Sequence, residues 1–275
     1  MRSTTLIIGV LLLLVVAVFS TPVHASNSGI LYCSAAEPYD EDEYTYSTQI
    51  NNMIMYYMNY YGDFGYLYNC QGAYVTRNQI GSTADYCEDS SDYTTVFFKD
   101  HDVPWSCGYN THYKILDSNS FGAEDSLIIF GNTTANEHDF VFLWACGTAQ
   151  IKGEDCNCGY GRGMPYCWLH DNILADFGHN ETTDSDSEVF LGFINWSLDF
   201  TTETEHDYCD YGDFVVHFYE YLLEDNYSVK EALNAASDDT LGEQYFGDTD
   251  LCNGLDIGGL TSSLRVYGNG DLGLP

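Results

Sequence analysis

A histidine and a cysteine each follow a strongly apolar run of the sequence. His101 comes shortly after Thr94–Phe98, and Cys146 directly follows Phe140–Ala145. An imidazole beside a thiol takes its proton, and the resulting thiolate attacks a carbonyl carbon. The amides of Cys146 and Gly147, at the start of the next turn, are candidates for the oxyanion hole. The alternatives for Cys146 are a disulfide partner or a buried inert thiol, and His112 is the second candidate base.

The elements that must position this pair form an α/β pattern. The apolar runs before His101 and Cys146 have apolar residues on both faces, as expected for buried central strands. Further predicted strands are Ile30–Cys33, Tyr66–Tyr68, Val189–Ile194 and Leu264–Tyr267. Predicted helices cover 50–61, 76–86, 214–223 and 229–236. This alternation predicts a mostly parallel sheet with helices on both faces, in which ligands bind at the carboxyl ends of the strands.

The segment Phe140-Val-Phe-Leu-Trp-Ala-Cys146, with a histidine 45 residues earlier, resembles the caspase-like cysteine peptidases. This group includes the legumains, gingipains and CHAT peptidases. The resemblance extends loosely from Ile30 to Tyr267. It implies a three-layer caspase-like sandwich, with Cys146 as nucleophile and His101 as general base and acid. In the family, the amide of a glycine after the histidine completes the oxyanion hole, and that position is Asp102 here. It also implies that the segment after Val189 lines the substrate pocket, with Trp196, Ser197 and Asp199.

Two carboxylates flank the histidine where members of the family commonly carry glycine. These residues are Asp100 and Asp102. We expect them to raise the pKa of His101 and to favour an ion pair with a thiolate. Further carboxylates, at Glu154, Asp155 and Asp199, predict a preference for Arg or Lys before the scissile bond.

The N-terminus has the pattern of a cleavable secretory signal. Arg2 precedes the uncharged run Leu6–Phe19, and cleavage is predicted after Ala25. The alternative is an uncleaved membrane anchor, for which the run is shorter than the roughly 20 residues of a spanning helix. The prediction is a signal peptide over 1–25, followed by a single secreted domain with acidic loops over 26–275. No membrane association is expected after cleavage.

The charge balance excludes some partners. The chain carries a formal net charge of −34 and a pI near 4.1. Such a surface repels nucleic acid and anionic lipid, and it favours cationic ligands, divalent metals and basic peptides. Adaptation to a salty or acidic habitat is the alternative explanation.

Cysteines and sequons both fit an exported glycoprotein. All ten cysteines follow the signal, which predicts a disulfide framework. The sequons lie at Asn132, Asn180, Asn195 and Asn226.

No cofactor is required by this chemistry, and calcium is the favoured candidate metal. Asp184, Asp186 and Glu188 alternate as in a calcium loop, but the glycine of an EF-hand is missing, so a solvated loop is the alternative. A weaker calcium candidate is formed by Asp207, Asp210 and Asp213. A zinc site is disfavoured because its Cys-x-Cys spacing is unusual. Its candidate ligands are Cys156, Cys158, Cys167 and His170.

Two functions follow from the sequence. The first is a secreted cysteine peptidase that cleaves peptide bonds in a peptide or protein substrate, with a preference for a basic one. The alternative is a non-catalytic extracellular protein on the same scaffold, such as a surface, matrix or filament component that self-assembles. A thiol at Cys146 favours the first, and a disulfide there favours the second.

Overall fold

The structure is a computed structural model of the full chain. It describes residues 27–33, 41–107, 110–116, 118, 122–124, 138–150, 163–169, 188–204, 208–242 and 264–275.

Nine strands form two sheets in this part of the chain. The strands are β1 (Asn27–Cys33), β2 (Phe64–Gln71), β3 (Thr94–Lys99), β4 (Asp102–Cys107), β5 (Asn110–Leu116), β6 (Gly122–Glu124), β7 (Phe140–Trp144), β8 (Val189–Phe193) and β9 (Leu264–Gly268). The central sheet has the order β2-β1-β3-β7-β8-β9. Its neighbouring strands are parallel except for the β8–β9 pair. Strands β4, β5 and β6 form a small antiparallel sheet.

Helices connect the strands of the central sheet. They are α1 (Glu41–Tyr60), α2 (Arg77–Ser90), α3 (Met164–Leu169), α4 (Tyr211–Leu223) and α5 (Val229–Leu241), and a 3₁₀ turn covers Gly72–Tyr74. The helices begin at capping residues. The Thr76 side chain caps α2 by accepting the Gln79 N–H, as the sequence predicts. Reciprocal capping boxes begin the last two helices, at Asp210 and at Ser228. No helix among the described residues has the length and apolar character needed to cross a membrane.

Alternate residues of each central strand enter two different hydrophobic clusters. In β3, Phe97 packs with α1, α4 and α5 residues, whereas Val96 and Phe98 pack with α2 and α3 residues. In β7, Phe142 belongs to the first cluster and Leu143 to the second. Because both faces are buried, these strands are apolar throughout, which is the pattern on which the α/β prediction depended.

The predicted strands and helices of the central sheet are confirmed, and the strand ends shift by at most three residues. The start of the first helix was wrong, because α1 begins at Glu41 rather than at residue 50. The short helix α3 was not predicted, and neither were two features of the sheets. The small sheet immediately follows His101, and the last strand runs antiparallel to its neighbour. No two cysteine sulfurs lie at bonding distance among the side chains that the structure describes. The disulfide framework therefore stays a prediction, because half of the cysteines have side chains outside that set.

A buried histidine makes the stability of this fold depend on pH. His138, just before β7, is fully buried, and its Nδ1 lies 3.2 Å from the Trp168 carbonyl and 4.0 Å from the Glu88 carboxylate. Burial lowers the pKa of His138 to about 4, although the Trp168 bond opposes the shift. Its stabilising contribution is therefore complete above about pH 6.5, the usual pKa of an unfolded histidine. It is lost as the pH falls toward 4.

We predict that His138→Gln removes this dependence. Between pH 7 and pH 4, the free energy of unfolding of the wild type should fall by about 3 kcal/mol more than that of the variant. Urea unfolding at several pH values measures the difference. His217→Gln, which removes a half-exposed histidine on α4, is the control and should follow the wild type. Parallel pH profiles for the wild type and His138→Gln would contradict the assignment.

Candidate functional site

His101 and Cys146 leave the central sheet at the same edge. Strands β3 and β7 are adjacent and parallel, and Lys99 pairs with Trp144 in the register. The predicted base and the predicted nucleophile each come two residues after this pair. The Asp100 N–H donates to the Trp144 carbonyl at 3.4 Å, which extends the alignment by one residue. Both predicted catalytic residues are partly buried, as expected for side chains in a cleft.

The sulfur of Cys146 contacts the loop that follows β8. We refer to residues 194–201 as the β8 loop. The Ser197 N–H donates to Cys146 Sγ at 3.1 Å, and Ser197 Oγ lies 3.4 Å from the same sulfur. The sulfur in turn lies 4.0 Å from the Ser197 carbonyl, to which a thiol donates. A thiolate accepts hydrogen bonds more strongly than a thiol, so the Ser197 N–H favours the nucleophilic form of the sulfur, and the hydroxyl adds to this when it is the donor.

The turn after β7, residues 145–150, is fastened to the end of β8. The Gly147 N–H donates to the Asn195 carbonyl at 2.7 Å, and the Ala149 N–H to the Phe193 carbonyl at 2.9 Å. Gly147 has a φ of +65°, in the left-handed region that favours glycine. Its N–H is thus engaged within the protein, which argues against the oxyanion-hole role predicted for it. The Cys146 amide stays a prediction for that role.

The electrostatic prediction for His101 was wrong. Burial lowers the pKa of His101 below its usual value, and the nearby Lys99 ammonium lowers it further. Asp199 and Glu43 oppose these effects but do not reverse them. The Asp100 carboxylate instead accepts the His101 backbone N–H at 2.6 Å. His101 is therefore neutral at pH 7, the form that accepts a proton from a thiol.

The three predicted pocket residues all lie on the β8 loop. Ser197 contacts the sulfur directly, a role that the sequence did not indicate. Asp199 is exposed and close enough to raise the pKa of His101. Trp196 is 64% exposed, so its indole is accessible to a ligand. The Trp144 indole N–H, 2.7 Å from the Leu198 carbonyl, holds this loop against the end of β7.

The other candidate residues lie elsewhere. His112 pairs with Trp105 in the small sheet. Asp210 and Asp213 form the cap of α4 rather than part of an acidic loop, because each side chain accepts the backbone N–H of the other. Glu188 is buried where β8 begins. Asn195 and Asn226 are both exposed, the first of them on the β8 loop beside Cys146.

Several predictions lie outside the described residues. These are Asn132 and Asn180 of the sequons, Asp184, Asp186 and Asp207 of the calcium candidates, Glu154 and Asp155, and Cys156, Cys158 and His170 of the disfavoured zinc set. Within the described part of the chain, no group of three or more His, Cys, Asp or Glu side chains is arranged to hold a metal ion.

No protein-family model matches the chain, and no curated protein sequence is significantly similar to it. Its function is therefore inferred from the side chains of the site.

A glycine of β8 makes the close approach to the β7 turn possible. A Cβ on Gly192 would lie 2.8 Å from Thr148 Oγ1 and 3.2 Å from the Ala149 nitrogen. We predict that Gly192→Ala displaces the turn, slows alkylation of Cys146 by iodoacetamide, and lowers the free energy of unfolding by about 1–3 kcal/mol. Mass spectrometry of the alkylated peptide and urea unfolding measure the two effects.

The control is Gly273→Ala, because its Cβ would meet only the Tyr227 carbonyl at 3.9 Å. It should react and unfold like the wild type. If Gly192→Ala also matched the wild type, the turn would not depend on this contact.

Proposed function

We propose that the chain is a secreted cysteine peptidase of the caspase-like type that hydrolyses peptide bonds with Cys146 and His101. The observation that supports this most is the register of β3 with β7, which brings the histidine and the cysteine to one edge of the sheet. The caspase-like resemblance requires that arrangement, with the base after one strand and the nucleophile after the next. The two hydrophobic clusters on alternate strand residues support the three-layer sandwich that we propose with it.

The proposed reaction begins with a neutral imidazole. His101 accepts the proton of the Cys146 thiol, and the sulfur bonds to the carbonyl carbon of the substrate. The oxygen becomes an oxyanion, for which the Cys146 amide is the candidate donor. As the carbon–nitrogen bond breaks, the imidazolium gives its proton to the leaving amine. Water, deprotonated by His101, then hydrolyses the thioester and restores the thiol.

The Ser197 donors support the first step of this reaction. The Ser197 N–H donates to the sulfur, and the Ser197 hydroxyl, which lies within hydrogen-bond distance, can turn its proton toward the sulfur, so negative charge is stabilised as the thiol proton leaves. Asp199 and the exposed Trp196, on the same loop, are the proposed recognition groups. A cationic side chain of the substrate would be attracted to the Asp199 carboxylate, in agreement with the preference for Arg or Lys inferred from the sequence.

We predict that Cys146→Ala abolishes turnover of fluorogenic peptides with Arg or Lys before the scissile bond, lowering kcat/KM by about 10⁴-fold. The matched control is Cys33→Ala. Cys33 also ends a strand at this edge, but it is fully buried, and burial raises the pKa of its thiol to about 12. The control should retain activity. Activity that persists in Cys146→Ala would exclude Cys146 as the nucleophile.

The pH profile tests the neutral form of His101. Because its pKa lies below the usual value, we predict that kcat/KM rises with a midpoint below about pH 6.5 and reaches a plateau at neutral pH. Initial rates from pH 4 to pH 9 measure this midpoint. Activity that instead declined between pH 7 and pH 8 would indicate a histidine that must stay protonated, contrary to this mechanism.

The alternative is a non-catalytic extracellular protein on the same scaffold. The specific observation in its favour is the bond from the Gly147 N–H to the Asn195 carbonyl, because it occupies one donor expected for an oxyanion. Under this alternative, peptide electrophiles do not modify Cys146. Cys146→Ala and Cys33→Ala then show the same absence of peptide turnover as the wild type.

A further inference from the structure

A buried glutamate connects α1, β3 and the β8 loop. Glu43 lies in the first turn of α1 with only 3% of its surface exposed. Lys99 Nζ is 3.1 Å from its Oε1. The same carboxylate accepts the Phe200 N–H at 2.7 Å, and it accepts the Thr201 N–H and hydroxyl, each at 2.9 Å. The Ser47 hydroxyl donates to it at 3.3 Å. Both oxygens are therefore fully used.

The partner lysine lies at the base of the site. Lys99 is the last residue of β3, two positions before His101, and it is 1% exposed. Its ammonium also lies 4.9 Å from the centre of the Phe200 ring. A charge this deeply buried is costly unless it is paired and hydrogen-bonded. Burial raises the pKa of Glu43, but Lys99 and the N–H groups of Thr201 and Phe200 outweigh it, so the net shift is downward. The Glu43 carboxylate is thus charged at pH 7, and its negative charge favours the ammonium form of Lys99 beside it.

We propose that Glu43 and Lys99 form a positioning pair for this site. The pair holds the β8 loop, with Ser197 and Asp199, against the ends of β3 and β7, and it balances the charge beside His101. This inference rests on the proposed function, since it explains how the proposed nucleophile and base are kept in place. Neither residue bonds to a substrate or to a reacting atom in the proposed mechanism.

The role of the pair in holding the β8 loop follows from the hydrogen bonds of that loop. The β8 loop has two anchors in its second half, the Leu198 carbonyl on Trp144 and the Phe200–Thr201 amides on Glu43. Ser197 immediately precedes this anchored stretch. Loss of the carboxylate therefore releases the loop on the side from which Ser197 reaches Cys146.

The role of the pair in balancing the charge beside His101 follows from the groups that face this histidine. Lys99 of β3 lowers its pKa, whereas Glu43 of α1 and Asp199 of the β8 loop raise it. Asp100 accepts the backbone N–H of His101. On β1, Cys33 pairs with Lys99 in the register and is a neutral thiol at pH 7. Removing Glu43 or Lys99 should therefore shift the His101 titration in opposite directions, which loosened packing alone does not predict.

The test compares Glu43→Gln, Lys99→Met and the double variant. NMR titration of His101 should give a midpoint below that of the wild type for Glu43→Gln and above it for Lys99→Met. The double variant, which buries no unpaired charge, should lie between them. Alkylation of Cys146 by iodoacetamide at pH 7 should be about tenfold slower in Glu43→Gln, because the loop no longer holds Ser197 on the sulfur. If a single variant does not fold, the double variant still reports the alkylation rate, which should also fall.

Glu88→Gln is the matched control, because Glu88 is also a buried helical glutamate, but on α2 near His138. It should leave both readouts at the wild-type values. The positioning pair would be overturned if the His101 midpoint did not shift in Glu43→Gln and Lys99→Met. It would also be overturned if Glu88→Gln changed the His101 midpoint and the Cys146 alkylation rate as much as Glu43→Gln does. Neither readout uses a peptide. If the two variants shift the His101 midpoint in opposite directions but the protein has no peptidase activity, the positioning pair is supported and the proposed function is refuted. If the protein is an active peptidase and the midpoints do not shift, only the positioning pair is refuted.

Discussion

The parallel register of β3, β7 and β8 determines where the chemistry-bearing ends of these strands lie. Backbone bonds in a parallel sheet align all carboxyl ends at one edge, so each strand delivers the residues after it to that edge. Here the pairing of Lys99 with Trp144 brings His101 and Cys146 to the same level. The pairing of β7 with β8 brings the β8 loop beside them. A slip of one residue in either pairing would turn every side chain of the shifted strand to the opposite face of the sheet.

Polar bonds then fix the segments that leave this edge. The β7 turn is bonded to the end of β8 through Gly147 and Ala149, and the β8 loop is bonded to Trp144 and Glu43. These bonds are partly or fully buried, so an unpaired group at any of them would incur a desolvation penalty. The site is thus held by the same interactions that stabilise the fold around it.

Much of the framework could be predicted from the sequence, because buried strands and capped helices leave local patterns. The runs before His101 and Cys146, and the cap at Ser228, are of this kind. The small sheet was missed because Asp102–Cys107 contains a proline and shows no continuous apolar run. Bonds between distant segments leave no local pattern, so neither the Gly147 bond to Asn195 nor the Ser197 contact with Cys146 could be predicted.

Glu43 shows the same limit. In the sequence it is the last of four consecutive acidic residues, 40–43, and such a run is usually a solvated surface. The structure buries this one carboxylate against Lys99. A signal was present in the lysine, which directly follows a strand predicted to be buried. A lysine that is buried at this position requires an acidic partner. The sequence did not indicate which of the many carboxylates that partner is.

The central claim is that Cys146 is a reactive thiol activated by His101. The most direct measurement is covalent labelling of the unreduced protein with a peptidyl chloromethyl ketone that carries Arg or Lys next to the electrophile, followed by peptide mass spectrometry. The account predicts a single adduct on Cys146 that is lost in His101→Ala. Recovery of Cys146 in a disulfide, with no adduct, would contradict it.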